Sequence, residues 1–277
     1  MTYSRVIIIV AIMICAMPKI MAQTYMQYVD SADYYIKREL WEDAERVTIA
    51  ALKLSPGNKL NKYLWSNLGE IRCSCENYDG SLQAFEIALA SDKTNSDILS
   101  KRAYTYLKMG NQEKALEDLN SALLSDTILE WPLKMRGLIL MGTGELDKAE
   151  KDFTNLKQHF PNNPEAYKGL GKILATKGDN KNAISMLRKS LELNQDEDTW
   201  FYLIMINIED GNLNEAKEDL YIALKRYPRC GNLYLLRGVI HKLQYENDAA
   251  LIDKKIAIDY GADKILIDKY FPKINGK

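Results

Sequence analysis

The chain has 277 residues, with 37 basic and 38 acidic side chains and a formal net charge of −1. A balance this even offers no concentrated basic surface for nucleic acid and no electrostatic reason for adsorption to a membrane. A single compact core would be near its upper size limit at this length, whereas an array of stacked units grows without that limit.

The N-terminal segment, from Met1 to Ala22, has the organisation of an export signal. Met1–Arg5 carries one positive charge, Val6–Met17 is an unbroken apolar run, and Ala22 supplies a small side chain for cleavage. This pattern predicts a secretory signal peptide over residues 1–22. A helix of the length of the apolar run spans about 18 Å, well short of the roughly 30 Å hydrocarbon layer. We therefore expect no stable membrane span after cleavage, and a retained anchor is the alternative.

Export also sets the expected location and charge of the mature protein. The Ala-Gln ending of the segment resembles export signals of some Gram-negative bacteria, which implies the periplasm or association with the outer membrane. Loss of Arg5 and Lys19 would leave 35 basic and 38 acidic residues, a charge near −3. An uncleaved N-terminus would instead suit an anchored accessory of an outer-membrane complex.

Behind the signal, small residues recur with a nearly constant period, in steps of 37, 34, 34, 34, 33 and 34 along the chain. One column contains Ala44, Ser81, Ala115, Ala149, Ala183, Ala216 and Ala250. Another, earlier in each copy, contains Ala32, Gly69, Ala103, Gly137, Gly171, Ile204 and Gly238. Such a period predicts stacked copies of one small unit, each burying its apolar face against its neighbours. Ile204 departs from the rule, so we expect looser or shifted packing there.

Each copy divides into two amphipathic helices. Apolar residues at three- and four-residue spacing predict a helix in each half, and the small columns predict close crossing of the two helices. A glycine recurs between the halves, at Gly110, Gly144, Gly178 and Gly211. Glycine accepts a positive φ angle, so we expect these residues to end the first helix. No run of period-two alternation predicts a strand.

These columns resemble the tetratricopeptide repeat (TPR), whose pattern is W-x-x-L-G-x-x-Y followed by Ala, Phe, Ala and Pro. Matching residues include Trp65, Leu68, Gly69, Phe85 and Ala88 in the second copy, and Trp200, Leu203, Ala216, Ala223 and Pro228 in the sixth. The resemblance implies an all-α fold, a right-handed α-solenoid of antiparallel helix pairs (a TPR superhelix). The seven expected repeats are 25–58, 62–95, 96–129, 130–163, 164–196, 197–230 and 231–264.

The two ends of the repeat array differ. Residues 265–277 resemble the additional helix that covers the last apolar face of a solenoid, followed by a short tail. No such segment precedes the first copy, so we expect Tyr25, Met26 and Tyr28 to be partly exposed. That end could mediate a homodimer.

The sequence contains no set of residues that predicts catalysis, a metal site or a cofactor. Cys73, Cys75 and Cys230 form no disulfide framework, because their number is odd, and no histidine stands near enough to complete a metal site. His159 suits the end of a helix, and His241 falls in a column of packing residues. We therefore expect a protein that is not an enzyme.

The resemblance also implies where a ligand would lie, because in this family the first helices line a concave groove that usually holds peptides. The inward positions are Tyr104, Lys108, Trp131, Lys134, Leu138, Met141, Lys168, Lys172, Phe201 and Met205. We expect apolar side chains to flank the lysines, so the hypothesis is a bound apolar peptide or helix that carries a carboxylate. The alternative is that these residues pack on the neighbouring copy.

The functional prediction is a non-catalytic protein–protein interaction scaffold of the cell envelope. The alternative is a subunit that binds a glycan or a cell-wall fragment, using Trp131, Tyr104 and Phe201 for stacking. A chaperone-type carboxylate clamp is not expected, because Leu138 and Lys172 replace its asparagines.

Overall fold

The computed structural model describes residues 24–272, and the helices within them account for all the regular secondary structure. The first helix, α1, covers residues 24–36 of the described chain. The others are α2 Trp41–Leu54, α3 Asn61–Ser74, α4 Tyr78–Leu89, α5 Ser96–Lys108, α6 Gln112–Ser125, α7 Glu130–Gly142, α8 Leu146–His159, α9 Pro164–Thr176, α10 Asn180–Leu193, α11 Glu197–Glu209, α12 Leu213–Arg226, α13 Gly231–Leu243, α14 Asn247–Asp259 and α15 Lys264–Tyr270. The all-α prediction is confirmed, whereas the predicted signal peptide lies outside the described residues.

Consecutive helices form antiparallel pairs. Short connections join α3 to α4, α5 to α6, and α9 to α10, and the two helices of each pair pack along each other. Asparagine and aspartate side chains begin many of the helices: Asn95 accepts a hydrogen bond from the Ile98 amide, and Asp196 accepts one from the Thr199 amide. These caps satisfy amides that have no partner within the helix.

The chain divides into two compact units, Met1–Pro132 and Leu133–Lys277, with the boundary inside α7. In the first unit, one apolar cluster surrounds Leu64 and Leu68, and a second surrounds Phe85 and Ile98. In the second unit, a longer cluster extends from Ala183 to Phe271. The apolar core within each unit thus lies between successive helices.

The small-residue columns mark points where helices touch. A Cβ atom added to Gly69 would lie 2.7 Å from the Phe85 ring, and one added to Gly171 would lie 2.7 Å from Leu187. Carbon atoms almost never approach this closely, so a larger residue at either crossing would force the facing side chain to shift. Ile204, the exception to the column, is completely buried in the core of the second unit. Looser packing at this residue stays a prediction.

The turn inside each pair has a left-handed residue at its centre. Gly110, Gly144, Gly178 and Gly211 have φ angles of 76°, 81°, 82° and 80°, so the prediction of positive φ is confirmed. The same column contains three residues that are not glycine, Glu39, Glu76 and Tyr245, with φ angles of 56°, 61° and 64°. Their side chains carry a steric cost that glycine avoids.

Buried Arg–Asp pairs join the two helices of several pairs, and sequence analysis missed them. The Arg102 guanidinium donates two 2.8 Å hydrogen bonds to Asp118, and Arg136 and Arg237 form the same two-bonded contact with Asp152 and Asp253. Each aspartate is at most 6% exposed. The sequence could have revealed them, because the arginine of the first helix precedes the aspartate of the second by 16 residues in all three pairs.

Asp219 occupies the aspartate column but has no arginine in its own pair. Leu203 stands where the arginine would be, and the carboxylate is instead reached by Arg188 from α10, at 3.2 and 3.0 Å, and by the Asn207 amide at 3.2 Å. Burial raises the pKa of Asp219, and Arg188 offsets only part of that effect. This carboxylate is therefore less well compensated than the others.

Candidate functional site

The ten residues predicted to line a groove fall in both units. Tyr104, Lys108 and Trp131 belong to the first unit, and the second contains the remaining seven: Lys134, Leu138, Met141, Lys168, Lys172, Phe201 and Met205.

In the first unit, two of the predicted aromatic residues are in contact. The rings of Tyr104 on α5 and Trp131 on α7 have centroids 6.0 Å apart and meet edge to face, at 69°. The Lys108 ammonium lies 5.3 Å from the centre of the Tyr104 ring. Tyr104 is 44% exposed. The contact therefore presents an aromatic surface to solvent.

A cavity of about 460 Å³ opens beside these rings, between α3, α5 and the start of α7. Its apolar lining comes from Tyr104, Trp131 and the buried Phe85. Its polar lining includes Glu70, Asp97 and Lys101. The cavity is large enough for one or two side chains of a bound chain.

Lys101 controls the electrostatics of this cavity, and sequence analysis did not select it. Its ammonium lies 3.2 Å from the Glu70 carboxylate and 3.4 Å from the Asp97 carboxylate. Burial lowers the pKa of Lys101, but the two carboxylates outweigh this effect and leave the pKa above its usual value. The lysine stays charged, so this part of the cavity has two negative charges and one positive charge. The i, i+4 spacing of Asp97 and Lys101 places both side chains on one helix face, and this spacing could have identified Lys101 from the sequence.

In the second unit, two of the lysines that we expected to receive a carboxylate ligand, Lys168 and Lys172, already contact carboxylates of the protein. Lys168 lies 2.9 Å from Glu165, 3.5 Å from Asp196 and 3.9 Å from Asp198. Burial lowers the pKa of Lys168, but these acidic neighbours raise it above its usual value. Lys172 lies 3.6 Å from Asp198, and its ammonium is 3.9 Å from the centre of the Tyr202 ring. A ligand carboxylate would compete with these contacts.

The apolar residues predicted beside those lysines differ in exposure. Phe201 is only 8% exposed and belongs to the core of the second unit, where its ring meets that of Tyr202 edge to face. Met205 packs against the same core. Leu138 is 39% exposed, and Lys134 and Met141 are half-buried. Phe201 thus has the environment of a packing residue.

The cysteines and histidines lie in separate environments. Cys73, Cys75 and Cys230 are free thiols, and burial together with Glu197 raises the pKa of Cys230 to about 12. His241 contacts the carboxylate of Glu246 through Nδ1, so it is more than the packing residue that its column predicted. Between residues 24 and 272, no group of three or more potential ligands among His, Cys, Asp and Glu could hold a metal ion. In the same residues, no helix combines the length and apolar character that crossing a bilayer demands.

Comparison with known families identifies the repeats. Models of the tetratricopeptide repeat match residues 64–99, 84–117 and 134–198. A tetratricopeptide repeat protein from Parabacteroides merdae has a solved structure that matches 90% of this chain and 97% of its own, with a TM-score of 0.66 and 26% identity. YrrB, described as a TPR protein with an unusual peptide-binding site, matches 66% of this chain and 95% of its own, with a TM-score of 0.54 and 22% identity.

Two curated relatives align over shorter segments. DnaJ homolog subfamily C member 3 from Gallus gallus is 27% identical over 146 residues, which are 51% of this chain and 28% of the relative. TPR repeat-containing protein BH2049 from Halalkalibacterium halodurans is 23% identical over 141 residues, 51% of this chain and 63% of the relative. The match thus spans less than two thirds of either relative's own length.

These matches, together with the paired helices, establish that the chain contains tetratricopeptide repeats and has an all-α fold of the solenoid class. The repeat number, the repeat boundaries and the groove residues stay predictions. TPR proteins are generally non-catalytic scaffolds, and the fold implies protein partners.

Proposed function

We propose that this protein is a non-catalytic interaction scaffold of the cell envelope that binds a peptide or helix of a partner protein against the first helices of its pairs. The observation that carries the proposal is the aromatic cavity of the first unit, lined by Tyr104 and Trp131. Exposed aromatic surface beside a cavity is typical of a site that receives another molecule.

The chemistry of the cavity favours an apolar side chain from the partner as the inserted group. The rings of Tyr104 and Trp131 provide apolar area, while Glu70 and Asp97 are occupied by Lys101. Because Lys101 leaves one negative charge of the two carboxylates uncompensated, a free anion would be repelled, and a second cation would have to compete with Lys101 for the same two carboxylates. Polar groups of a peptide backbone could be satisfied at the rim by Ser100, which also lines the cavity.

Peptide binding by a solved TPR structure supports the proposal by analogy. YrrB is described as having a peptide-binding site, and its likeness to this chain is in the fold alone, at 22% identity. The contacts of Lys168 and Lys172 with acidic residues shift our expectation away from a ligand carboxylate in the second unit and toward the aromatic cavity in the first.

The binding experiment uses the mature chain without residues 1–22. A phage-displayed peptide library is selected on the purified protein, and the affinity of the selected peptides is measured by calorimetry. We expect a Tyr104→Ala, Trp131→Ala variant to lose about tenfold or more in affinity, the effect of removing two aromatic contacts. Tyr63→Ala is the matched control, because Tyr63 is 50% exposed in the same unit and does not line the cavity.

Three results would contradict the proposal. These are a library that yields no binder, binders that the double variant retains, or equal losses in the Tyr63→Ala control. A glycan array on the same protein tests the alternative function, and glycan binding that depends on Trp131 would support that alternative instead.

The location in the envelope is tested separately. In cells that produce the full chain, we expect mass spectrometry to find an N-terminus at Gln23 and fractionation to place the protein outside the inner membrane. An intact Met1 terminus in a cytoplasmic fraction would contradict this part of the proposal and leave the binding site unaffected.

A further inference from the structure

A second cavity, of about 570 Å³, lies between α12 and α13 in the second unit. Its lining includes Leu220 and Ile240, which are 3% and 2% exposed and belong to the core of that unit. The floor of the cavity is therefore the edge of the apolar core. An apolar side chain seated on it would extend that core.

One face of α12 forms the wall of this cavity. Lys217, Leu220, Tyr221, Leu224 and Lys225 all line it, at relative positions 0, 3, 4, 7 and 8. This spacing places them along a single helix face. The two lysines stand at its ends, about 12 Å apart along the helix axis. Tyr221 lies between them and is 72% exposed.

The charges around the cavity are unevenly compensated. Arg237 is bound by Asp253 through two hydrogen bonds, whereas the Glu246 carboxylate at the cavity contacts His241, which carries a charge only when it is protonated. Neither Lys217 nor Lys225 has an ion pair within the described residues, and both are exposed. The surface therefore presents these two positive charges on either side of an apolar floor.

We propose that this face of α12 binds an acidic amphipathic helix of a partner protein. The partner would carry leucine-like side chains that enter the cavity over Leu220 and Ile240. It would also carry carboxylates two helical turns apart that contact Lys217 and Lys225. Helices that lay an apolar face into such a groove are a recurrent mode of recognition, and the flanking charges set orientation and specificity. This site is distinct from the aromatic cavity of the first unit.

The test uses short fluorescein-labelled helical peptides and fluorescence anisotropy with the mature chain. The acidic peptide has two central leucines with glutamates two turns apart on either side, and its partner peptides replace either the glutamates by lysines or the leucines by alanines. We expect the acidic peptide to bind, with an affinity that falls as salt is added, and both partner peptides to bind about tenfold or more weakly.

Charge reversal on the protein makes the test specific. A Lys217→Glu, Lys225→Glu variant should bind the acidic peptide about tenfold more weakly and bind the lysine peptide better than the wild type does. Lys151→Glu, Lys255→Glu is the matched control, because both lysines are exposed in the same unit and neither lines the cavity. Thermal melting checks that both variants fold, as expected for substitutions at exposed positions.

The Tyr104→Ala, Trp131→Ala variant should bind the acidic peptide as the wild type does, which separates this inference from the proposed function. The inference is overturned if the acidic peptide fails to bind at millimolar concentration, if the alanine peptide binds equally well, or if charge reversal does not exchange the preference between peptides. Binding of anionic lipid vesicles in place of the peptide would overturn it as well.

Discussion

At the scale of single residues, the buried Arg–Asp pairs show how one column of the repeat depends on another. In three helix pairs, an arginine of the first helix binds an aspartate of the second: these arginines are Arg102, Arg136 and Arg237. At the same two positions of another pair, the residues are Leu170 and Met186. A buried charge is costly unless it is paired, so both members are ionic or both apolar. Asp219 breaks this agreement, because its opposite residue is Leu203.

This difference predicts unequal effects of the same substitution at two equivalent sites. Asp152→Asn removes the buried carboxylate that binds Arg136 through two hydrogen bonds, and because the Arg136 side chain is 22% exposed it should cost about 2 kcal/mol of the free energy of unfolding. Asp219→Asn removes a charge that burial disfavours, keeps a hydrogen-bonding side chain beside Asn207, and leaves Arg188 able to reach water, since its side chain is 46% exposed. We expect it to change stability by less than about 1 kcal/mol in either direction.

The pH dependence of Asp219→Asn follows from the raised pKa. A carboxyl group with a higher pKa in the folded than in the unfolded chain binds protons more readily when folded, so its contribution to stability falls as the pH rises. Relative to the wild type, the variant should gain stability as the pH rises above about 4, the usual pKa of an aspartate, and the difference should no longer change with pH below about pH 4. Urea denaturation of wild type and variant across this range measures the difference, and a gain that grows toward low pH would contradict the assignment.

At the scale of the helix pair, the turn determines where the first helix ends. Four of the seven left-handed turn residues are glycine and could be recognised from sequence. Glu39, Glu76 and Tyr245 could not, because nothing in their side chains indicates a positive φ angle, and only alignment to the period identifies them. The steps of the repeat place all seven residues in one column.

Two reciprocal substitutions test the role of this column. An added Cβ at Gly144 would meet no atom within 4 Å, so Gly144→Ala introduces only the cost of a left-handed backbone, about 1 kcal/mol. Glu76→Gly removes that cost, and after allowance for the greater freedom of the unfolded chain it should stabilise by about 0.5 kcal/mol.

Glu76→Ala is the control, since it removes the charge and keeps the strained angle. Thermal melting of the three variants gives the comparison. A Glu76→Ala variant as stable as Glu76→Gly would mean that charge, rather than backbone conformation, determines the effect.

Periodicity predicted the all-α fold, because sterics favour small residues at helix crossings and glycine at many of the turns. The site was harder to predict for two reasons. Phe201 and Lys168 were chosen by position in the repeat, yet Phe201 is buried in the core and Lys168 contacts three acidic side chains. Lys101 was missed because its partner Glu70 is on another pair, and sequence spacing alone does not give contacts between pairs.

At the scale of the whole molecule, a solenoid differs from a globule in how far a local change spreads. Within each unit, successive helix pairs contact one another, so stability is approximately a sum of local terms. Phe271 is well placed to test this property. It is 8% exposed after the last helix, its ring lies 5.4 Å from the Lys242 ammonium and 5.6 Å from that of Lys254, and it belongs to the core of the second unit.

Phe271→Ala should cost about 3 kcal/mol locally, the usual effect of deleting a buried aromatic side chain. In hydrogen exchange of the full mature chain, we expect faster exchange in α13, α14 and α15 and unchanged rates in α3 to α6 of the first unit. Ile265→Ala is the control on the same short helix, since Ile265 is 78% exposed and should alter neither set. Equal acceleration of both sets of amides would mean that the repeats unfold as one cooperative body, contrary to additive local stability.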